Sequence, residues 1–181
     1  MATSSSIPQM LTQSRHVLTS PSVATFELYE TKGSLRDALI YMGVAAAIGG
    51  LLGLAQGPLV FLSNIIGTLL GFLVFTYLVH WLGTQRGGSG TLNEVAYSFA
   101  LFWAPLSVAF SVAALLLVIT VVGIFLLPLL GIAALVLNVY FAYLATQSSL
   151  NLEPGGKTWS VLLLAALGSF LVSFLVAAIL G

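Results

Sequence analysis

The sequence has very few charged residues for its length. Of 181 residues only 6% are charged, five basic and five acidic, whereas an ordinary soluble domain carries roughly 25%. Ten charges cannot cover the surface of a water-soluble fold of this size. A net charge of zero also removes the basic surface that DNA or RNA binding requires. These shortages exclude a soluble enzyme, a disordered tail and a nucleic-acid-binding protein.

Cysteine is absent, which excludes disulfides, thiolate nucleophiles and cysteine metal sites. Residues 1–34 lack the apolar run of a signal peptide and are polar, so we expect them to stay in the chain and in the cytosol. Apolar residues, by contrast, make up 59% of the sequence, and the mean hydropathy is +1.11. The sequence therefore predicts an integral membrane protein.

Long uncharged runs fit transmembrane helices, each of which needs about 20 apolar residues to cross about 30 Å of hydrocarbon. The runs do not alternate between polar and apolar residues, which argues against a β-barrel. The longest run, 95–145, is divided only by a weak turn signal at 120–123. The sequence predicts an all-α integral membrane protein with a short amphipathic N-terminal segment, 1–34, and a five-helix membrane domain, 35–181. The five predicted spans are about 35–56, 59–83, 95–119, 123–146 and 159–180.

The basic residues all fall on one side of the predicted membrane. They are Arg15, Lys32, Arg36, Arg86 and Lys157. Tryptophan and tyrosine prefer the headgroup zone, and most of them lie near the same helix ends: Trp81, Trp103, Trp159, Tyr41, Tyr77, Tyr97, Tyr140 and Tyr143. Because basic residues accumulate on the cytoplasmic side, we expect a cytosolic N-terminus and a C-terminus on the opposite side. A bacterial cytoplasmic membrane is the expected location.

The N-terminal segment contains an amphipathic pattern from Ile7 to Ser20. Pro8 suits the first turn of a helix that Ser6 would cap. Such a helix either lies on the inner membrane surface or packs against the inner end of the bundle. Two further patterns, Ser34 to Asp37 and Thr91 to Glu94, are typical of capping boxes that begin a helix.

Small residues recur at a spacing of four in the first two spans, at Gly49, Gly53, Gly57, Gly67 and Gly71. Small residues let helices approach closely in lipid. The pattern predicts a tight hairpin of the two spans, and dimerisation is the alternative. Proline lies inside the third and fourth spans, at Pro105 and Pro128, where each would remove a backbone hydrogen bond and kink its helix.

The spans contain few side chains that could act in catalysis or ion transport. No span core contains Asp, Glu, Lys or Arg, and no paired-carboxylate or G-x-S-x-G pattern occurs. Asn64 and Asn138 are the strongest polar side chains at membrane depth, where amides hydrogen-bond across helices or line a solute site. His80 is typical of an interfacial residue. The run from Gly87 to Thr91 lacks the spacing and the lysine of a phosphate loop and is typical of a flexible inner loop. We therefore predict no catalytic residue, no metal site and no cofactor.

Several stretches together resemble the Yip (Ypt-interacting protein) domain family in its bacterial form. They are PSVATFELY at 21–29, SLRDALIY at 34–41, the helix end at 78–80, the loop at 87–91, and then Tyr97 and Pro105. The resemblance extends from about Pro21 to the end and implies a non-enzymatic membrane protein. Eukaryotic members of the family are partners of Rab-type GTPases through a longer cytosolic segment with aromatic and acidic motifs. The N-terminal segment here lacks those motifs, which argues against GTPase binding.

The leading hypothesis is an interaction or membrane-organising protein whose partners are membrane lipids, another membrane protein or a second copy of itself. A channel or carrier for a small solute, an ion or a lipid is the alternative, with a cavity near Pro105, Pro128, Asn64 and Asn138. An enzyme acting on lipid near His80 ranks third. The candidate polar or partner-contact positions are Asn64, His80, Arg86, Gly87, Gly88, Tyr97, Pro105 and Asn138.

Overall fold

A computed structural model describes residues 5–51 and 57–180, and within these ranges the chain forms helices and no strand. A 3-10 turn at Glu30–Lys32 joins the N-terminal helices to the rest. The α-helices are α1 (Ile7–Thr19), α2 (Val23–Glu27), α3 (Leu35–Gly50), α4 (Pro58–Gln85), α5 (Leu92–Ile119), α6 (Val121–Ile124), α7 (Leu127–Leu150) and α8 (Gly156–Leu180). The predicted all-α class is confirmed.

Within the described ranges, four helices are long and apolar enough to cross a membrane. They are Pro58–Gln85, Leu92–Ile119, Leu127–Leu150 and Gly156–Leu175. Helix α3 has 16 residues, which extend about 24 Å at about 1.5 Å per residue and fall short of the hydrocarbon thickness. The rest of the predicted first span, 52–56, lies outside the described residues. The described residues therefore show a multi-pass membrane protein with four such helices, and the fifth predicted span is not confirmed.

Helix α5 lies at the centre of the bundle, in contact with α1, α3, α4 and α7. Residues 95–102, in its first three turns, are all buried. Phe102 stacks on Phe141 of α7 with ring centroids 5.7 Å apart, and it makes a T-shaped contact with Phe26 of α2 at 6.3 Å. The hydrophobic core therefore lies in one half of the bundle. In this half α4 and α7 finish and α3, α5 and α8 begin. We call the region of these helix termini and their connecting loops the polar end.

Two predicted capping boxes are confirmed, and both lie at the polar end. The backbone N–H of Ser34 donates to Oδ2 of Asp37 at 3.0 Å, and the N–H of Asp37 donates back to Oγ of Ser34 at 3.3 Å. Thr91 and Glu94 make the same reciprocal pair at 2.6 and 3.3 Å. Each box satisfies two backbone donors that a helix start would otherwise leave unpaired, so the positions where α3 and α5 begin are set locally.

Of the two prolines, Pro128 differs from expectation. Helix α7 begins at Leu127, so Pro128 occupies its first turn, where no intrahelical hydrogen bond exists for proline to remove. The predicted kink at Pro128 is therefore wrong. Pro105 does lie inside a helix, as predicted, and α5 continues on both sides of it without a break.

The glycines do not form the predicted hairpin interface. A side chain added at Gly67 or Gly71 would meet nothing within 4 Å, whereas one at Gly49 would approach Ser111 of α5 at 3.1 Å. Gly57 precedes α4 with φ 116°, and Gly53 lies outside the described residues. Helices α3 and α4 approach each other at Gly50 instead, against Phe61. Of the predicted packing glycines in the described residues, Gly49 therefore faces α5, while Gly67 and Gly71 face open space.

Candidate functional site

The N-terminal segment, residues 5–33, packs on the polar end of the bundle. Met10 and Val17 of α1 are buried, and α1 contacts α5 while α2 contacts α7. Leu11, on the flank of α1, is exposed, as are Thr12, Arg15 and Thr19 on its far side. Of the two predicted placements, the structure shows the helix packed against the bundle, which leaves its outer face free.

Tyr97 holds the N-terminal segment in place. Its side chain is fully buried, and its hydroxyl donates to Oε1 of Gln13 at 2.7 Å. Its ring lies so close beneath Gly33 that any side chain there would overlap it. A second buried bond joins the hydroxyl groups of Ser14 and Tyr41 at 3.1 Å. The contacts of Tyr97 with Gln13 and Gly33 therefore anchor the N-terminal segment to α5.

Glu30 carries an acidic charge into the interface between the N-terminal segment and α7. The hydroxyl of Ser148 donates to Oε2 of Glu30. Burial raises the pKa of the Glu30 carboxyl, the bond from Ser148 opposes that rise, and the nearby carboxylates of Glu94 and Glu27 add to it. The interface therefore favours the protonated form of Glu30 more than water does.

We expect the variant Glu30→Gln to flatten the pH dependence of stability. Because the pKa of Glu30 is raised in the folded state, the folded chain holds this proton more tightly than the unfolded chain. Its contribution to stability is present at low pH and declines as the pH rises from the ordinary carboxyl pKa through the raised one. Glutamine keeps an acceptor for Ser148 without the charge, so the variant gains at most about 1 kcal/mol at neutral pH.

The measurement is the melting temperature between pH 4 and 8 in detergent. Glu153→Gln is the control, because Glu153 is well exposed and pairs only with Lys157 at 3.8 Å. Equal pH profiles for Glu30→Gln and the unmodified protein would contradict the prediction.

The glycine loop joins the ends of α4 and α7. Gly87 has φ 89°, and the N–H groups of Gly87 and Gly88 donate to the carbonyls of Thr84 and Gly83 at 3.2 and 2.9 Å. This pattern is a Schellman motif, which needs a left-handed residue and so favours glycine. The loop is then held against α7, because the N–H of Ser89 donates to the Leu150 carbonyl at 3.0 Å.

Helix α7 ends in the same way, with Asn151 at φ 51° and the N–H of Leu152 donating to the Gln147 carbonyl at 3.1 Å. Arg86 is half-buried and its Nη1 donates to the Leu82 carbonyl at 3.4 Å. The loop residues thus terminate and join two helices, which differs from the flexible loop that their composition indicated.

Asn64 and Asn138 line separate spaces. Asn64 is exposed on α4 and lines a notch of about 200 Å³ between α3, α4 and α5, together with Thr68, Ser107 and Ser111. Asn138 lines a larger cavity between α4, α5, α7 and α8, and its Nδ2 donates to the Ala134 carbonyl at 2.8 Å. Neither space includes Pro105 or Pro128 in its lining. The two asparagines predicted to share one cavity therefore line two separate spaces.

The larger cavity has a volume of about 380 Å³, and aromatic side chains form much of its lining: Phe75, Phe99, Phe102, Trp103 and Trp159. No sequence pattern indicated this cavity, because four helices contribute to its lining and each aromatic side chain fits an ordinary apolar span. His80 is half-buried near the end of α4. Among the described residues no group of three His, Cys, Asp or Glu side chains could hold a metal ion.

Four membrane-length helices with an ordered N-terminal segment on one end define a helical multi-pass membrane protein. The family model of the Yip1 domain matches residues 15–175, from α1 to α8. The chain therefore belongs to the Yip1 domain family. Neither the curated proteins nor the solved structures contain a match to it.

Proposed function

We propose that this protein is a non-enzymatic, membrane-organising protein that associates with another membrane protein or a second copy of itself through one face of α4. The observation that carries the proposal is the exposed amide of Asn64 in a membrane-length helix. No hydrogen bond among the described residues uses that amide; only the backbone carbonyl of Asn64 accepts one, from Thr68. An exposed amide at membrane depth gains free energy when a second helix supplies a partner.

The surface around Asn64 suits close approach by a helix. Gly67 and Gly71 follow Asn64 by three and seven residues, so the three positions share one helix face. Open space lies over both glycines. Small residues of this kind let two backbones approach, which increases van der Waals contact and strengthens interhelical hydrogen bonds.

Cross-linking of single cysteines tests this face, since the natural chain has no cysteine. Gly67→Cys is expected to cross-link in native membranes, to a second copy or to another protein, about tenfold more than Gly131→Cys. Gly131 is the matched control, because it is exposed on α7 and also has open space over it. Adding Asn64→Leu to the Gly67→Cys variant should reduce the yield. Equal yields from Gly67→Cys and Gly131→Cys would contradict the proposal.

Five passes are also part of the proposal, with α3 in the first. The N–H of Leu35 donates to Oδ1 of Asn93 at 2.9 Å at the polar end, while Gly50 reaches Phe61 in the first turn of α4. Helix α3 therefore runs beside most of α4. With all five basic residues toward the polar end, this supports a cytosolic N-terminus and an opposite C-terminus in a bacterial cytoplasmic membrane.

Labelling of intact cells with an impermeant thiol reagent tests this orientation. Thr120→Cys lies after α5, at the end away from the N-terminal segment, and is expected to react in intact cells. Ser89→Cys lies in the glycine loop at the polar end and is expected to react only after permeabilisation. Labelling of Ser89→Cys in intact cells would overturn the orientation.

Movement of a small solute, an ion or a lipid is the second candidate function, and the cavity that Asn138 lines favours it. Flux into proteoliposomes above that of protein-free vesicles would support this candidate over the first.

A further inference from the structure

The aromatic cavity opens sideways between α7 and α8. Its floor includes Phe99 and Phe102, which are 0% and 1% exposed. Its lining also includes Leu135 of α7 and Leu163 of α8, which are 64% and 60% exposed. Both residues lie in membrane-length segments, so the mouth between them faces the hydrocarbon of the bilayer. An unfilled apolar cavity lacks dispersion contacts along its walls, and the molecules available at this mouth are lipid chains.

Polar groups lie at the end of the cavity nearest the polar end. Trp159, a lining residue in the first turn of α8, stacks on Tyr143 with ring centroids 4.9 Å apart. Such aromatic side chains prefer the depth of lipid headgroups. Lys157 lies in the same first turn of α8, at the depth of Trp159 but outside the cavity lining, and its ammonium group is 3.8 Å from an exposed Glu153 carboxylate. A long exposed ion pair of this kind contributes little, so the ammonium group is available to a phosphate.

Asn138 adds a hydrogen-bonding group inside the cavity. It precedes Tyr143 by five residues, about 7.5 Å along α7. One N–H of its amide donates to the Ala134 carbonyl. The amide carries a second N–H, which can donate to a carbonyl just below the interface.

From these features we infer that the cavity binds one phospholipid molecule. An acyl chain occupies the space above Phe99 and Phe102, the ester carbonyl accepts from Asn138, and the phosphate pairs with Lys157. The positive charge of Lys157 selects an anionic headgroup over a zwitterionic one. This lipid is a resident ligand, independent of the α4 face described above.

Lipid retention tests the site. The full chain is purified in mild detergent, and bound phospholipid per chain is measured by native mass spectrometry with headgroup identification. The unmodified protein is expected to retain one phospholipid. Ala166→Phe fills the mouth from an exposed lining position and should lower retention about tenfold. Ala133→Phe adds the same side chain to an exposed position of α7 outside the cavity lining and should retain the lipid.

Two further variants separate the contacts. Lys157→Gln should keep a bound lipid but lose the preference for anionic headgroups. Leu163→Trp narrows the same mouth at an exposed position and should reproduce the loss of lipid if Ala166→Phe fails to fold. Retention by both mouth variants, or equal loss in Ala133→Phe, would overturn the inference. Neither result affects cross-linking at Gly67, so the two proposals fail separately.

Discussion

The variant Gly90→Ala is expected to lower the free energy of unfolding by about 3 kcal/mol or more. A Cβ added at Gly90 would overlap the backbone carbonyl of Ser149 and crowd the backbone of Leu150 at the end of α7. Backbone atoms cannot move aside as a flexible side chain can, so the loop would have to leave α7. That movement would break the 3.0 Å bond from the Ser89 N–H to the Leu150 carbonyl. Thermal unfolding in detergent, followed by circular dichroism, measures the loss.

Gly156→Ala is the matched control for this variant. Gly156 begins α8 at the same end of the bundle, and a Cβ there would meet nothing within 4 Å. Alanine also has a higher helix propensity than glycine, so the control should be neutral or slightly stabilising. Similar melting temperatures for Gly90→Ala and Gly156→Ala would show that the loop does not pack on α7 as described.

The variant Tyr97→Ala is expected to release the N-terminal segment from the bundle. The change removes a fully buried ring and the 2.7 Å bond to Gln13, at a cost of about 3–5 kcal/mol for an aromatic side chain. Tyr97→Phe removes only the hydroxyl and should cost about 1 kcal/mol. Trypsin cleavage after the exposed Arg15 reports the release, and the expected order of rates is Tyr97→Ala, then Tyr97→Phe, then the unmodified protein.

Tyr140→Ala controls for the loss of an aromatic side chain, because Tyr140 is exposed on α7 and remote from α1. Its cleavage rate should match that of the unmodified protein. Unchanged cleavage in Tyr97→Ala would mean that other contacts hold the segment.

Local and compositional features of this fold were predictable from the sequence. The scarcity of charge determined the membrane class, and the boxes at Ser34 and Thr91 fixed two helix starts because their hydrogen bonds span only three residues. The family resemblance also agreed with the Yip1 domain match.

Features that depend on the packing of distant segments could not be predicted. The pair Glu30 and Ser148 joins residues 118 positions apart, and no local pattern connects them. Periodicity placed Gly67 and Gly71 on one face but could not show that α3 approaches α4 at Gly50 instead. The lining of the cavity comes from four helices, so its volume depends on how they pack and on no single segment.

The backbone contacts that join the ends of α4 and α7 restrict how this bundle can deform. Two backbone turns and the Ser89 bond to Leu150 fasten these helices together at one level. Relative motion of α4 and α7 is therefore most restricted at that joint and least restricted at the opposite leaflet. Changes in lateral pressure within that leaflet would therefore separate α4 and α7 more easily than changes at the polar end would.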